Sequence, residues 1–220
     1  MSLQDKREHS REILLRLSRE YDPARIAVAW TGGKDSTVVL DLWRETLGGT
    51  PVLAVNLDTG HKFPEIVAFR DHLAALWNIT LIVAKPDPPD FPAQIAQDKL
   101  ACCRALKIEP LKRAIRQAGV EVLLTGIRAD EHPSRVGLAE REHRHDPEHL
   151  QANPILHWTE MDVWAHTMER KLPYCDLYNQ GYRSLGCVPC TAPNAHGNER
   201  AGRDQDREAQ MASLRALGYF

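Results

Sequence analysis

Long apolar runs are what this sequence most plainly lacks. No stretch of its 220 residues approaches the roughly 18 apolar residues that a membrane span requires. Met1 to Glu20 is charged throughout, without the apolar block of a signal peptide. Both absences lead to the expectation of a cytoplasmic protein with no membrane partner. A surplus of either charge is also missing: 28 Lys and Arg stand against 30 Asp and Glu, a formal net charge of -2. That balance argues against disorder and against nucleic acid as a partner. No internal repeat is found. With 43% hydrophobic residues the chain can bury a core without disulfides, and one domain with a small appendage is expected.

Cysteine is scarce, but its placement is informative. Five cysteines are an odd count, and four of them form two tight pairs, Cys102-Cys103 and Cys187-x-x-Cys190. In a chain without a secretion signal this pattern favours metal ligation over disulfides. A tandem pair must swing both thiolates onto a single tetrahedral zinc, whereas a cubane offers separate irons to adjacent residues. An iron-sulfur cluster is therefore the better reading. The alternative is that Cys102 and Cys103 are small buried side chains and that only the second pair binds anything. Cys175 reads as a buried structural thiol.

Residues 7–21 carry Ile13, Leu14 and Leu17 at helical spacing, closed by the Asp22-Pro23 turn. The period then changes. Apolar runs at 26–30, 52–56, 80–84 and 120–125 suit buried strands and alternate with helical patterns at 38–43, 64–77 and 108–117. Such alternation implies an α/β fold, a parallel sheet covered on both faces. Lys85 to Pro92 is too proline-rich for either element and is expected to be a surface loop. Residues 128–152 form a long polar segment to which no conformation is assigned. In it His143, His145 and His149 alternate with Glu142, Arg144, Asp146 and Glu148, which reads as a solvated loop rather than a metal site. Beyond 162–170 the chain becomes rich in Gly and Pro, and the final 20 residues have the spacing of a terminal helix.

No G-x-G-x-x-G occurs, and no Walker A loop, since Val28 stands where its first glycine would be. The first strand leads instead into Thr31-Gly32-Gly33-Lys34-Asp35-Ser36-Thr37. Two glycines, a lysine and three hydroxyls on one strand-to-helix turn are suited to cradling an anion at a helix N-terminus. An ordinary tight turn with Asp35 or Ser36 as N-cap is the alternative. Asp58, at the end of the second strand, could hold a ribose hydroxyl or cap a helix.

The loop resembles the S-G-G-K-D-S pyrophosphate loop of the adenine-nucleotide alpha-hydrolase-like family, with Thr31 keeping the hydroxyl of the usual first serine. That family includes sulfonucleotide reductases, the small catalytic subunit of ATP sulfurylase and tRNA thiolation enzymes. Leu57-Asp58-Thr59-Gly60, Phe63-Pro64-Glu65, Thr125-Gly126-Ile127-Arg128, residues 153–158, Asp162-Val163-Trp164 and residues 181–191 resemble sulfonucleotide reductase blocks in the right order, over about residues 25 to 203. His61-Lys62-Phe63-Pro64-Glu65 with Phe69-Arg70-Asp71, and Arg128-Ala129-Asp130-Glu131 with Arg135, are also similar to the ATP sulfurylase small subunit.

The resemblance implies a Rossmann-like nucleotide domain at 25–170, preceded by an N-terminal helix at 1–24 and succeeded by a cluster-binding, substrate-closing segment at 171–220. Cys102-Cys103 with Lys107 and Glu109-Pro110-Leu111 resembles the [4Fe-4S] segment of adenylyl-sulfate reductases. It implies Cys102, Cys103, Cys187 and Cys190 as ligands and Lys107 between cluster and substrate. Arg128, Arg200 and Arg203 match arginines on the sulfate and phosphate oxygens, which guanidinium groups bind in bidentate fashion. Thr31 to Thr37, Asp58 and Gly126 would bind the nucleotide. The implied activity is thiol-dependent reduction of adenylyl sulfate to sulfite and AMP in sulfate assimilation, with thioredoxin or glutaredoxin as partner and a homo-oligomer left open.

The family pattern also holds a nucleophilic cysteine in a C-terminal Glu-Cys-Gly-aromatic-or-aliphatic-His motif, and here Asp204 to Phe220 contains no cysteine. Three readings are open. The first is a reductase that is truncated, takes its thiol in trans or has rerouted it. The second is an ATP-splitting adenylyl-transfer or thiolation enzyme carrying the cluster. The third is a catalytically silent nucleotide-binding iron-sulfur protein. Substrate arginines and cluster ligands kept together favour the first.

Overall fold

The computed structural model describes residues 1–87, 94–194 and 196–219. Helix α1 (Leu3–Glu20) starts in a reciprocal capping box between Ser2 and Asp5 and buries Ser10, Leu14 and Leu17. The strands are β1 (Ile26–Ala29), β2 (Leu53–Leu57), β3 (Thr80–Ala84), β4 (Val122–Leu124), β5 (Arg141–His145) and β6 (Glu148–Ala152). Between and after them lie α2 (Lys34–Thr46), α3 (Pro64–Leu76), α4 (Lys99–Cys103), α5 (Glu109–Ala118), α6 (Glu160–Glu169), α7 (Gln205–Ala209) and α8 (Met211–Ala216).

The six strands run in the order β3-β2-β1-β4-β6-β5, all parallel except β5. Every residue of β1 is buried, as a central parallel strand requires. Ile26 and Val28 face one core with Trp30, Val39, Trp43, Trp158 and Val163. Ala27 and Ala29 face the other with Leu111, Ile115 and Leu123, the period-two split of a strand. The first core takes in Leu14 and Leu17 of α1. Ser10 fastens α1 further, donating to the Pro154 carbonyl at 2.7 Å and accepting from Trp158 Nε1 at 3.0 Å. From β1 the chain moves outward through β2 and β3, then returns to the other side of β1 as β4. The loops after β1 and β4 therefore meet at the topological switch point, where open sheets of this kind bind ligands.

Three expectations need correction. Residues 128–152 contain an antiparallel hairpin, β5 against β6, so the sheet gains an antiparallel edge. Its sequence hid it because β5 reads Arg-Glu-His-Arg-His, and charge on an edge strand guards against pairing with other chains. His149 is accordingly a buried strand residue, 8% exposed, while His143 and His145 are exposed as expected. The final residues form two short helices rather than one, broken at Gln210. In the proline-rich stretch, Lys85 to Asp87 are irregular, and Pro88 to Pro92 lie outside the described residues. No helix among the described residues is long and apolar enough to cross a membrane.

Candidate functional site

Gly32 has φ +81, and a Cβ there would lie 3.0 Å from Ile66 Cγ2, so the loop after β1 turns as only glycine allows. Gly33 is the N-cap of α2 and supplies no side-chain cap, so neither Asp35 nor Ser36 takes that place. Instead the hydroxyls brace the loop. Ser36 Oγ donates to the Gly33 carbonyl at 3.0 Å and accepts from Thr31 N at 3.2 Å. Thr37 Oγ1 donates to the same carbonyl at 2.9 Å and accepts from Trp30 Nε1 at 3.0 Å. From the other side of the switch point Gly126 presses on α2, where a Cβ would sit 2.7 Å from Ser36 N. Any side chain at 126 would push the β4 loop off the helix N-terminus.

The cations of this loop are fully occupied. Lys34, 2% exposed, pairs with Glu199 and with Asp35 at 3.3 Å and donates to the Arg183 carbonyl at 3.0 Å. Its backbone N–H donates to Tyr178 Oη at 2.9 Å. Arg128 is buried outright, with Nε on Asp35 at 2.6 Å, Nη1 on Asp130 at 3.1 Å and Nη2 on Glu199. Burial alone would depress both cations, but the carboxylates outweigh it and hold them charged. Arg200 is likewise spent, on Glu131 at 2.5 Å and on Glu208 at 2.5 and 2.9 Å.

From this loop an open cleft of about 870 Å³ runs toward the cysteines, lined by Thr31, Gly33, Asp35, Ser36, Gly126, Lys107, Arg200 and Arg203 among others. Gly32, Lys34, Thr37, Arg128 and Asp58 do not line it. Asp58 accepts from Gly60 N–H at 3.0 Å and lies 3.7 Å from Arg70, so it serves its own turn.

The two segments that carry the paired cysteines meet beyond the cleft. A π-helical turn, Arg104–Ile108, joins α4 to α5 and buries Lys107, the kind of irregularity that recurs at functional sites. Cys187 bridges antiparallel to Lys62, and Val188 N–H donates to the His61 carbonyl at 2.8 Å. Lys99 of α4 pairs with Asp204 at 2.9 Å, and Asp204 N–H donates to the Cys190 carbonyl at 3.2 Å, which ties the two cysteine segments together. Cys102 lies within electrostatic reach of Cys103 and Cys187, and Cys190 within reach of Cys187. All four are buried and free. Burial pushes Cys102 and Cys190 up. Burial would also raise Cys187, but Lys107, Lys62, a hydrogen bond with Thr59 at 3.3 Å and Arg203 bring it down to about 7.

Among the described residues no group of three or more His, Cys, Asp or Glu is closed tightly enough to hold a metal ion. The chemistry of the surroundings nevertheless suits an anionic thiolate-bound cluster. Lys62, Lys107 and Arg203 face Cys187 with no carboxylate in ion-pairing distance of them among the described residues. Arg203 donates to the Leu185 carbonyl at 2.7 Å, but its buried Nε has no partner, nor do Nε and Nη2 of Arg207. Burial and the neighbouring Arg207 and Arg200 depress Arg203 to about 10. Cys175 stands apart, 1% exposed against Ile66 and Leu177, with its thiol pushed up by burial.

Sequence reasoning singled out neither Glu199 nor Lys62, Glu131, Tyr178 and Tyr219. Tyr219 reaches the cleft beneath Lys107 and Arg207, 5.7 and 5.1 Å from its ring. Lys62 and Glu131 belong to blocks that resemble the ATP sulfurylase small subunit, and their places just after β2 and β4 were the available signal. Nothing local marks Tyr178, Glu199 or Tyr219, which reach the site only through tertiary folding.

Residues 25–193 match the phosphoadenosine phosphosulfate reductase domain family. The adenosine 5'-phosphosulfate reductase of Allochromatium vinosum is 33% identical over 204 residues, covering 87% of this chain and 77% of the relative. That of Pseudomonas aeruginosa strain LESB58 is 33% identical over 220 residues, covering 92% and 79%. The crystal structure of phosphoadenylyl-sulfate reductase from Candida auris, a phosphate complex, superimposes with TM-score 0.71 at 26% identity, covering 83% of this chain and 90% of that one. FMN adenylyltransferase of Candida glabrata shares the fold alone, TM-score 0.73 at 21% identity, covering 88% and 66%. With a glycine-rich loop at the switch point and a cleft lined by Lys62, Lys107, Arg200 and Arg203, the family match across most of the sequence and the relatives at 33% identity show that the chain belongs to the sulfonucleotide reductase family.

Proposed function

We propose that the chain reduces adenylyl sulfate to sulfite and AMP, a step of sulfate assimilation. The observation that carries this reading is the cleft itself, with hydroxyls and glycines of an anion loop at one end and, at the other, Lys62, Lys107 and Arg203 with no carboxylate paired to them among the described residues. The nucleotide phosphate belongs at the loop end, and the sulfate between Lys107 and Arg203. In the reaction a thiolate attacks the sulfate sulfur and the S–O bond to phosphate breaks, so AMP leaves with the electron pair. The thiol keeps the sulfonate. A second thiol, of thioredoxin or glutaredoxin, then attacks the first sulfur, releasing sulfite and forming a disulfide. Lys107 and Arg203 stabilise the charge on the sulfonyl oxygens in a largely dehydrated site.

Cys102, Cys103, Cys187 and Cys190 would hold a [4Fe-4S] cluster, which when bound adds an anionic core beside Lys107 and joins the two cysteine segments. With those four engaged and Cys175 sealed in an apolar cluster, the attacking thiolate is a group other than these five. The test is incubation of anaerobically purified protein with adenylyl sulfate and thioredoxin, without and with a peptide ending in Glu-Cys-Gly-Leu-His, measuring AMP and sulfite. Equal release of both, dependent on a supplied thiol, is expected. A sulfonate adduct mapped to Cys175 by intact mass and lost in Cys175→Ser would contradict the assignment of the thiol. Release of pyrophosphate from ATP with no sulfite from adenylyl sulfate would move the protein to the adenylyl-transfer reading.

A further inference from the structure

Three groups from one late segment fasten onto the phosphate loop. Tyr178 accepts the Lys34 backbone N–H, the Arg183 carbonyl accepts Lys34 Nζ, and the Glu199 carboxylate joins Lys34 to Arg128. Glu199 is the most consequential, because it is the anion of an anion site. It is 8% exposed and places one oxygen on the loop lysine and the other on the arginine just after β4, the arrangement a phosphate would take there.

The local charge balance leaves no room for a further anion. Lys34 and Arg128 already face Asp35, Asp130 and Glu199, two cations against three carboxylates. A nucleotide phosphate brought to the same two cations would be repelled unless one carboxylate withdraws. Asp35 is on the first turn of α2 and Asp130 lies immediately after the β4 loop, both fixed by the elements that build the site. Glu199 is held by neither a strand nor a helix, and it belongs to the bend that also carries Arg200 and Arg203.

We infer that Glu199 is an internal occupant of the phosphate site, which the substrate's phosphate displaces as it binds. Displacement releases the bend at 196–199 from the loop and leaves Lys34 and Arg128 to the nucleotide. Binding at one end of the cleft thereby changes access to the cysteine end, where the attacking thiol must enter. Burial, with Asp35 and Glu131 nearby, raises the Glu199 carboxyl above its ordinary range, which lowers the cost of giving up its place.

The inference rests on the reading of the Thr31 to Thr37 loop as the phosphate site, and one titration separates the two. Adenylyl sulfate and AMP are titrated by calorimetry into the wild type, Glu199→Gln and Lys34→Ala. The apparent affinity of a site whose open form is about 10% populated rises up to tenfold when the competing state is removed. Glu199→Gln is therefore expected to bind both ligands about tenfold more tightly, and Lys34→Ala to bind both less well. Equal or weaker binding by Glu199→Gln with a loss in Lys34→Ala would overturn the displacement and leave the loop reading standing. Unchanged affinity in Lys34→Ala, or no binding to the wild type, would overturn both. If Glu199→Gln does not fold, by circular dichroism, hydrogen exchange of the wild type decides. Adenylyl sulfate should slow exchange at 31–37 and speed it at 196–199, ahead of the sulfate-binding Arg203, and slowing at both would overturn the inference.

Discussion

At the loop end of the cleft Lys34 and Arg128 are matched inside the chain by Asp35, Asp130 and Glu199, whereas at the cysteine end Lys62, Lys107 and Arg203 face thiols and a phenol. Both sets are buried except for the half-buried Lys62, and both come partly from the segment after α6. The difference lies in what each lacks. Breaking a closed buried network by removing one partner strands the others, so the loop end is where the fold has most to lose. The cysteine end holds cations that no carboxylate among the described residues pairs with, at a cost to stability, which is the mark of a place kept for an external anion.

Arg128→Ala separates the two ends with the largest expected effect. It leaves the half-buried Asp35 and the buried Glu199 to share Lys34 alone, so stability should fall by about 3–5 kcal/mol. For a chain of this size each kcal/mol shifts Tm by about 2–4 °C, and differential scanning calorimetry reads the drop. Arg203→Ala should behave in the opposite way. Tm should stay or rise, because an arginine with an unpartnered Nε is removed from the vicinity of Arg200 and Arg207, while affinity for adenylyl sulfate drops by about 2–5 kcal/mol. A large fall in Tm for Arg203→Ala with unchanged affinity would break the comparison.

A smaller effect, confined to acid pH, sharpens it from outside the cleft. Burial would raise the Asp41 carboxyl, but hydrogen bonds with His166 and Arg170 prevail and hold it below its ordinary 3.8. A carboxylate depressed in the folded state stabilises fully above its unfolded pKa, and that stabilisation is lost as pH falls through the folded value. Asp41→Asn should therefore be less stable than the wild type at neutral pH, with the two melting curves converging below about pH 4. Smallest of all, Arg16→Ala breaks a solvated i,i+4 pair with Glu20 at 2.6 Å and should change stability by less than about 0.5 kcal/mol in urea unfolding.

The central strands were legible because burial on both faces writes itself as continuous apolar runs, as in Ile26–Ala29, and the helices after β1 and β2 by their helical spacing. The glycines of the loop were legible for a similar reason: Gly32 and Gly126 answer to local sterics. The hairpin escaped because β5 is an edge with no apolar face, so His149 reads as solvated. Charge pairing was illegible throughout. Arg128, Arg200 and Arg203 read alike in sequence, yet two are spent on carboxylates and only Arg203 is not. That difference depends on Glu131, Glu199 and Glu208 arriving from other segments. The cysteine pairs were legible as pairs, whereas the ring of Lys62, Lys107 and Arg203 about Cys187 appears only once β2 and the late segment are side by side.

The comparison of the two ends stands or falls on what the uncompensated cations and the four thiols hold. Iron and acid-labile sulfide counted in anaerobically purified protein, with Cys187→Ser in parallel, test this directly. About four of each per chain, lost in Cys187→Ser while the nucleotide domain stays folded, is the result the account predicts. One tightly bound zinc with no acid-labile sulfide would contradict it.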